Sequence, residues 1–285
     1  MDKLKIRPYI LRLYKEPNKQ NLIMLCFIVP VKSKVVSNDW NQFEKLVERT
    51  MKSLTNQIDD NYQIIVVCHE IPQMDFKHDK IEFVQVDFDP PKLDPNGTRD
   101  ENREKKELDK SYKIKHGVKI AEKYHPDFLM VVDSDDLISN KILSYVNKQD
   151  QSSPGWYVNK GYNYKEGAKY LFYKNKTFNH LCGSSIIIRK DLIDELFVTE
   201  PWLWYMHETM ETSAGNLQPL PFPAGVYSIA NGENHFMSNN YTGTIIQRFL
   251  FDFSKYRQLF KKLAKYRIHP LNGKFKRTFN FYHIN

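Results

Sequence analysis

The sequence predicts an α/β fold with a mixed, mostly parallel sheet flanked by helices. Three observations carry this reading. Unbroken apolar runs at residues 22–29, 63–68 and 128–132 have the pattern of strands buried on both faces. Residues 40–54 and 103–124 stand between them with apolar positions at helical spacing. The last run ends directly in Asp133-Ser134-Asp135-Asp136, so carboxylates sit where parallel sheets bind ligands, at the strands' carboxyl ends.

The first run closes at Pro30, which cannot donate a ladder hydrogen bond. Phe43, Leu46, Val47, Met51 and Leu54 then form one helical face, with Asn38 or Asp39 as the cap. After the second run, His69-Glu70 stands at a strand end. Residues 81–86 alternate as a third strand, followed by Asp87. Residues 88–102 hold three prolines and several acids and read as a loop. The helix over 103–124 stops before His125-Pro126. Further strands are expected near 156–158, 170–173 and 184–188, with a helix from Asp191.

Composition bounds the function. The chain has 285 residues, 41% hydrophobic and 14% aromatic, enough for a buried core. No apolar run reaches eighteen residues, and no secretory signal is read at the N-terminus. Cys26, Cys68 and Cys182 are too few and too widely spaced for a disulfide framework or zinc site. They are expected as buried thiols in a reducing, cytoplasmic setting. The formal charge of +8 is uneven. Residues 246–285 carry ten Lys or Arg and one acid, which leaves the other 245 residues near −1. That placement, without a recognisable module, speaks against nucleic acid as the partner.

Asp133 and Asp135, with Ser134 between them, can share a hard divalent cation such as Mn²⁺ or Mg²⁺ at a strand end; helix capping is the competing role. Lys106, Lys110, Lys113 and Gly117 fall on one face of the 103–124 helix. Lys106 and Lys110 are the stronger candidates to meet a diphosphate there, and Gly117 would permit close approach; a solvated face paired with Glu107 and Asp109 is the competing role. Gly183, ahead of the 184–188 strand, suits a plain turn and a backbone wall beside a sugar equally. Trp202, Trp204 and Tyr205 form an aromatic cluster beside His207-Glu208, suited to stacking on a sugar or to core packing.

Over roughly residues 22–140 the chain resembles a family 2-type glycosyltransferase of the GT-A fold. The carriers are Phe27-Ile28-Val29-Pro30-Val31, Ile64-Ile65-Val66-Val67, the Lys/Arg-bearing helix and Val131-Val132-Asp133-Ser134-Asp135-Asp136. The resemblance extends more loosely through 181–189 to about residue 240. It implies that Asp133 and Asp135 form a DxD metal motif and that Pro30, Val31, Glu70 and Asp87 line the base and ribose pocket. His69-Glu70 replaces the family's usual acidic pair. The resemblance further implies a catalytic base at Glu208, with His207 as rival, and a third metal ligand at His235. It implies an inverting transfer from a nucleotide sugar, UDP-sugars being commonest, to a hydroxyl of a glycan or lipid-linked acceptor.

Two other classes compete: a nucleotidyltransferase and a non-catalytic carbohydrate-binding or scaffold protein. The first would show a Gly-rich phosphate loop after the first strand, and residues 30–34 hold no glycine. The expected organisation is an extension over 1–21, a transferase domain over 22–245 divided at 136/137, and a basic helical tail over 246–285. In that tail Phe249, Phe253, Tyr256, Phe260 and Leu263 recur at helical spacing opposite basic residues. Such a face packs on protein, self-associates, or lies on the inner face of a membrane.

Overall fold

A computed structural model describes residues 22–200, 203–233 and 267–284. Its main sheet has seven strands in the order β14-β6-β9-β4-β1-β2-β3. The strands are β1 (Leu25–Pro30), β2 (Tyr62–Cys68), β3 (Ile81–Gln85), β4 (Phe128–Val131), β6 (Gly155–Tyr157), β9 (Ile186–Arg189) and β14 (Gln218–Pro219). β3, β2, β1 and β4 run parallel to their neighbours, and β9 is antiparallel to both β4 and β6. β1, β2 and β4 are buried at every position, as their unbroken apolar sequences require.

Helix α1 (Trp40–Leu54) packs one face of this sheet and α2 (Arg99–Ala121) the other. Asp39 caps α1 by accepting from Gln42 N. α2 begins four residues earlier than the apolar spacing predicts. Thr98 and Glu101 form a capping box there, a signal hidden among the loop's acids. At its other end the chain passes through a 3-10 turn to His125, which is left-handed at φ 51°. Gly117 lets α2 approach the sheet: a side chain there would meet Ile28 and Val67 at under 3 Å. The close approach read from the sequence is therefore to strand side chains, not to a ligand.

A second sheet has the order β16-β8-β7-β15-β5, from β5 (Leu137–Ile138), β7 (Gly161–Lys165), β8 (Tyr170–Lys174), β15 (Gly225–Ile229) and β16 (Arg267–Pro270). Helix α3 (Ile142–Val146) follows β5, and α4 (Gly273–Phe279) follows β16. Two small ribbons pair β10 (Phe197–Val198) with β11 (Trp204–Tyr205) and β12 (Glu211–Thr212) with β13 (Gly215–Asn216). The helix expected from Asp191 is a 3-10 segment, Lys190–Leu196.

The sequence reading assigns 246–285 to a helical tail beyond the domain. The structure corrects this for 267–284. β16 pairs with β8, and Phe275, Phe279 and Phe281 pack with Tyr164, Leu171 and Val226. Arg49 of α1, fully buried, donates to both carboxylate oxygens of Glu166 (3.0 and 2.8 Å) and to the carbonyl of Tyr282. The aromatic stripe at 249–263 lies outside the described residues, as do Trp202 and His235. Among the described residues, no helix is long and apolar enough to cross a membrane, and the three cysteines are free and buried.

Candidate functional site

β1 and β4 are neighbours whose onward connections leave in opposite directions, so the switch in strand order falls between their carboxyl ends. A cleft opens there. Pro30, Val31 and Lys32 come from β1 and the turn after it, Asp133, Ser134 and Asp135 from the end of β4. Lys106, Lys110 and Lys113 come from α2, Tyr227 from β15 and Glu233 from the loop beyond it. Lys32 and Lys106 also line an adjoining space of about 600 Å³ with Arg99 and Arg103, so the cleft widens toward the start of α2.

The β4 end is fixed from beneath. Asp136 is fully buried and accepts from Ser184 Oγ (2.7 Å) and Cys182 Sγ (3.1 Å). Burial and then the neighbouring Asp135 and Asp133 push its pKa well above the ordinary carboxylate value. Ser184 Oγ also accepts from Asp133 N at 2.8 Å. With Asp136 locked inside, Asp133 and Asp135 face the cleft. Asp133 Oδ1 is 2.5 Å from Lys110 Nζ, and Asp135 Oδ2 accepts from Asn231 Nδ2 at 2.8 Å. Burial and the Asp133 charge raise the Asp135 pKa. Gly183 belongs to this wall: a methyl group there would stand 2.7 Å from Asp133 Oδ2 and 3.3 Å from Lys110 Nζ.

The lysines differ. Burial opposes the charge of Lys110, but the Asp133 carboxylate and then Glu107 outweigh it and hold the ammonium firmly protonated. Lys113 is fully buried and donates to Asp109 Oδ2 (2.7 Å) and to the carbonyl of Val31 (2.8 Å). It braces the floor rather than facing a ligand. Lys106 lies against no carboxylate among the described residues. Burial and repulsion from Lys32 lower its pKa, Glu233 opposing.

Glu233 is a residue that sequence reasoning missed. It pairs with Lys32 and accepts from Ser37 Oγ (3.1 Å), Asn38 N (3.0 Å) and Asp39 N (2.7 Å), tying the loop after β15 to the start of α1. A signal existed in Asn231-Gly232-Glu233, where Gly232 takes φ 87°. Asn231 holds both Asp135 and Glu233 N.

Of the residues expected to hold a base and ribose, Pro30 and Val31 line the cleft and Glu70 and Asp87 do not. Glu70 accepts from Ser33 Oγ (3.1 Å) and Lys34 N (3.0 Å), bracing the turn after β1; Asp87 is exposed. His207 and Glu208 diverge. His207 Nδ1 lies 3.0 Å from the carbonyl of Asn179. Burial and then Lys110 lower its pKa, with Asp133 opposing. Glu208 is exposed and faces His180 at 3.8 Å. Trp204 and Tyr205 occupy β11, where Tyr205 is buried and its N–H donates to Ser111 of α2, so this part of the aromatic cluster is core.

Among the described residues, no three His, Cys, Asp or Glu side chains gather to hold a metal ion. Asp133 and Asp135 still form a donor set for Mg²⁺ or Mn²⁺. Such ions use one or two carboxylates and take their other oxygens from water and phosphate, and a cation would relieve the mutual repulsion of this pair.

The cleft and sheet order define an α/β protein with a carboxylate-and-lysine site at its strand ends. No family model matches the sequence, and no curated protein matches it. Among solved structures the chain is similar to S. aureus TarS 1–349, at TM-score 0.43 and 12% identity over 85% of this chain and 80% of that one. It is similar to the same TarS segment in complex with UDP-GlcNAc, at TM-score 0.43 and 13% identity over 72% and 58%. It is also similar to the glycosyltransferase GlyE of Streptococcus pneumoniae TIGR4, at TM-score 0.34 and 13% identity over 86% and 65%. At such identity no residue role passes from those proteins to this chain.

Proposed function

We propose that the protein is a GT-A-type glycosyltransferase, moving a sugar from a nucleoside diphosphate donor of UDP type to an acceptor hydroxyl of a glycan or lipid-linked saccharide. The observation that supports this best is the convergence of Asp133 and Asp135 with Lys32, Lys106 and Lys110 in one cleft at the β1–β4 switch. Two carboxylates with a ring of ammonium groups suit a diphosphate carried with a hard cation.

Asp133 and Asp135 would hold Mg²⁺ or Mn²⁺, with His235 as a further ligand; when bound, the ion neutralises charge on the leaving diphosphate. Lys106 meets the diphosphate with no internal ion pair to break. Lys110 fixes the Asp133 carboxylate and adds charge beside it. Gly183 leaves room for the sugar against Asp133. His207 is the better base of the two candidates. Hydrogen bonding from Nδ1 to Asn179 leaves Nε2 as the acceptor, and the lowered pKa keeps the ring neutral. It takes the acceptor's proton as the hydroxyl attacks the anomeric carbon, giving inversion.

The test is release of nucleoside diphosphate from a panel of nucleotide sugars with Mn²⁺ and, separately, with chelator. UDP-sugar turnover that needs the metal is expected. No release from any donor, with or without saccharide acceptors, would overturn the reading.

A further inference from the structure

A second concavity lies under α4, against the opposite face of the second sheet from the nucleotide cleft. Tyr227 of β15 faces the cleft, whereas the adjacent Val226 faces the aromatic cluster beneath α4. The concavity holds about 420 Å³, in the range of small-ligand sites. Its accessible rings are Tyr162, His269 and Phe222, each half-buried, with the buried Phe275 and Phe279 packed behind them. Tyr162 packs edge-on against Phe275 (5.4 Å) and Phe279 (6.0 Å), with His269 at 5.6 Å. Phe222 closes one side. Lys141 and Lys274 stand at the rim, both exposed. Among the described residues neither lies in an ion pair, and no carboxylate lines the space.

The stretches of chain that supply its elements are basic in sequence. Residues 155–182 and 267–284, which supply β7, β8, β16 and α4, carry nine Lys or Arg and one carboxylate, Glu166. That carboxylate is occupied by the buried Arg49. The local formal charge of these two stretches thus equals the +8 of the entire chain.

We propose that this groove is a second carbohydrate site, binding an anionic glycan whose sugar rings lie on Tyr162, His269 and Phe222 while its acidic groups meet Lys141 and Lys274. Aromatic rings accept the C–H faces of sugars, and unpaired lysines attract anions without first losing a partner. A membrane-binding face would project its apolar groups outward; here Phe275 and Phe279 are buried in the core and project none. The glycan's role as acceptor, held at a distance from its reacting end, rests on the transferase reading; the binding site itself does not.

The experiment is calorimetric titration of the protein with a sulfated chondroitin hexasaccharide and with its desulfated counterpart. Wild type is compared with K141E/K274E and with K119E, a charge reversal on the exposed side of α2. Binding of the sulfated probe is expected to weaken by at least ~10-fold in the double variant, through lost charge complementarity. K119E should bind as wild type does, and the desulfated probe should bind at least ~10-fold more weakly than the sulfated one. Thermal unfolding of all three proteins should coincide. Equal weakening in K119E and the double variant, no weakening in either, or tighter binding to phosphatidylserine vesicles or a single-stranded oligonucleotide would overturn the proposal. Nucleoside diphosphate release is measured in parallel, with and without saccharide acceptors. Its absence in wild type under both conditions removes the acceptor role and leaves the binding site intact. Loss of acceptor-free release only in K141E/K274E would show a groove coupled to the donor site and overturn the proposal as framed.

Discussion

In the cleft at the β1–β4 switch, Lys32, Lys110 and Lys113 each lie against a carboxylate. In the groove under α4, Lys141 and Lys274 lie against none among the described residues. The difference separates two uses of the same side chain. A paired lysine in a half-buried cleft is held at a fixed place, and an arriving anion must compete with its carboxylate. An unpaired lysine at a wet rim is free to move and attracts anions over a Debye length. The first arrangement gives geometry, the second capture. Lys106 is the exception inside the cleft, placed like the former and, among the described residues, without an ion pair like the latter.

The comparison breaks most sharply at Asp135. Asp135→Asn should lose at least ~10²-fold in turnover, because it removes a charged oxygen from the proposed metal and diphosphate site. Unfolding without metal should be unchanged or higher in temperature, since the like charge beside Asp133 is relieved. A fully active variant would remove Asp135 from the chemistry.

Lys113→Ala tests whether a cleft lysine is structural. It strands Asp109 inside the protein, and destabilisation of about 3–5 kcal/mol is expected, read by denaturant unfolding. Lys274→Ala, on the exposed rim, should stay within about 0.5 kcal/mol of wild type. Equal effects would abolish the distinction drawn above.

His207→Gln should lower kcat by about 10²-fold with donor KM little changed, and Glu208→Gln should do neither. Burial and Lys110 lower the His207 pKa, with Asp133 and Glu208 opposing. The base is therefore lost only as pH falls below the ordinary imidazole range, and the acid limb of kcat should lie there. A limb at or above that range, or a large loss in Glu208→Gln, would move the base.

Lys106→Ala is the mildest change. It should raise donor KM by about tenfold, one lost charge contact to a diphosphate, with no fall in unfolding temperature. Lys110→Ala should raise donor KM and also lower the unfolding temperature, because it frees Asp133.

The parallel half of the fold was legible because fully buried strands leave no polar residues to blur them: Leu25–Pro30 and Tyr62–Cys68 are buried throughout. In the second sheet only β8 was read, as 170–173. The other strands are short and half polar, Gly161–Lys165 and Arg267–Pro270 among them, and β15 and β16 lie far in sequence from the strands they pair with. At the site, Asp133 and Asp135 announced themselves by following a buried run. Glu233 did not, since a polar loop residue has no periodicity to reveal its four donors. His207 and Glu208 are neighbours in sequence, and only burial separates them. The spacing of Asp109 and Lys113, four residues apart on a helix, was a pairing signal open to reading.

Arg49 has a consequence for biosynthesis. Its guanidinium finds Glu166 of the β7–β8 turn and the carbonyl of Tyr282, from segments made long after α1. A nascent chain that has emerged only through β9 holds this cation without Tyr282 and without β16 to close the sheet edge at β8. Until residues 267–284 clear the ribosome, an aromatic sheet edge stands open to other chains, the condition under which chaperones are engaged. The parallel half of the main sheet can form early; the second sheet waits for residues 267–284.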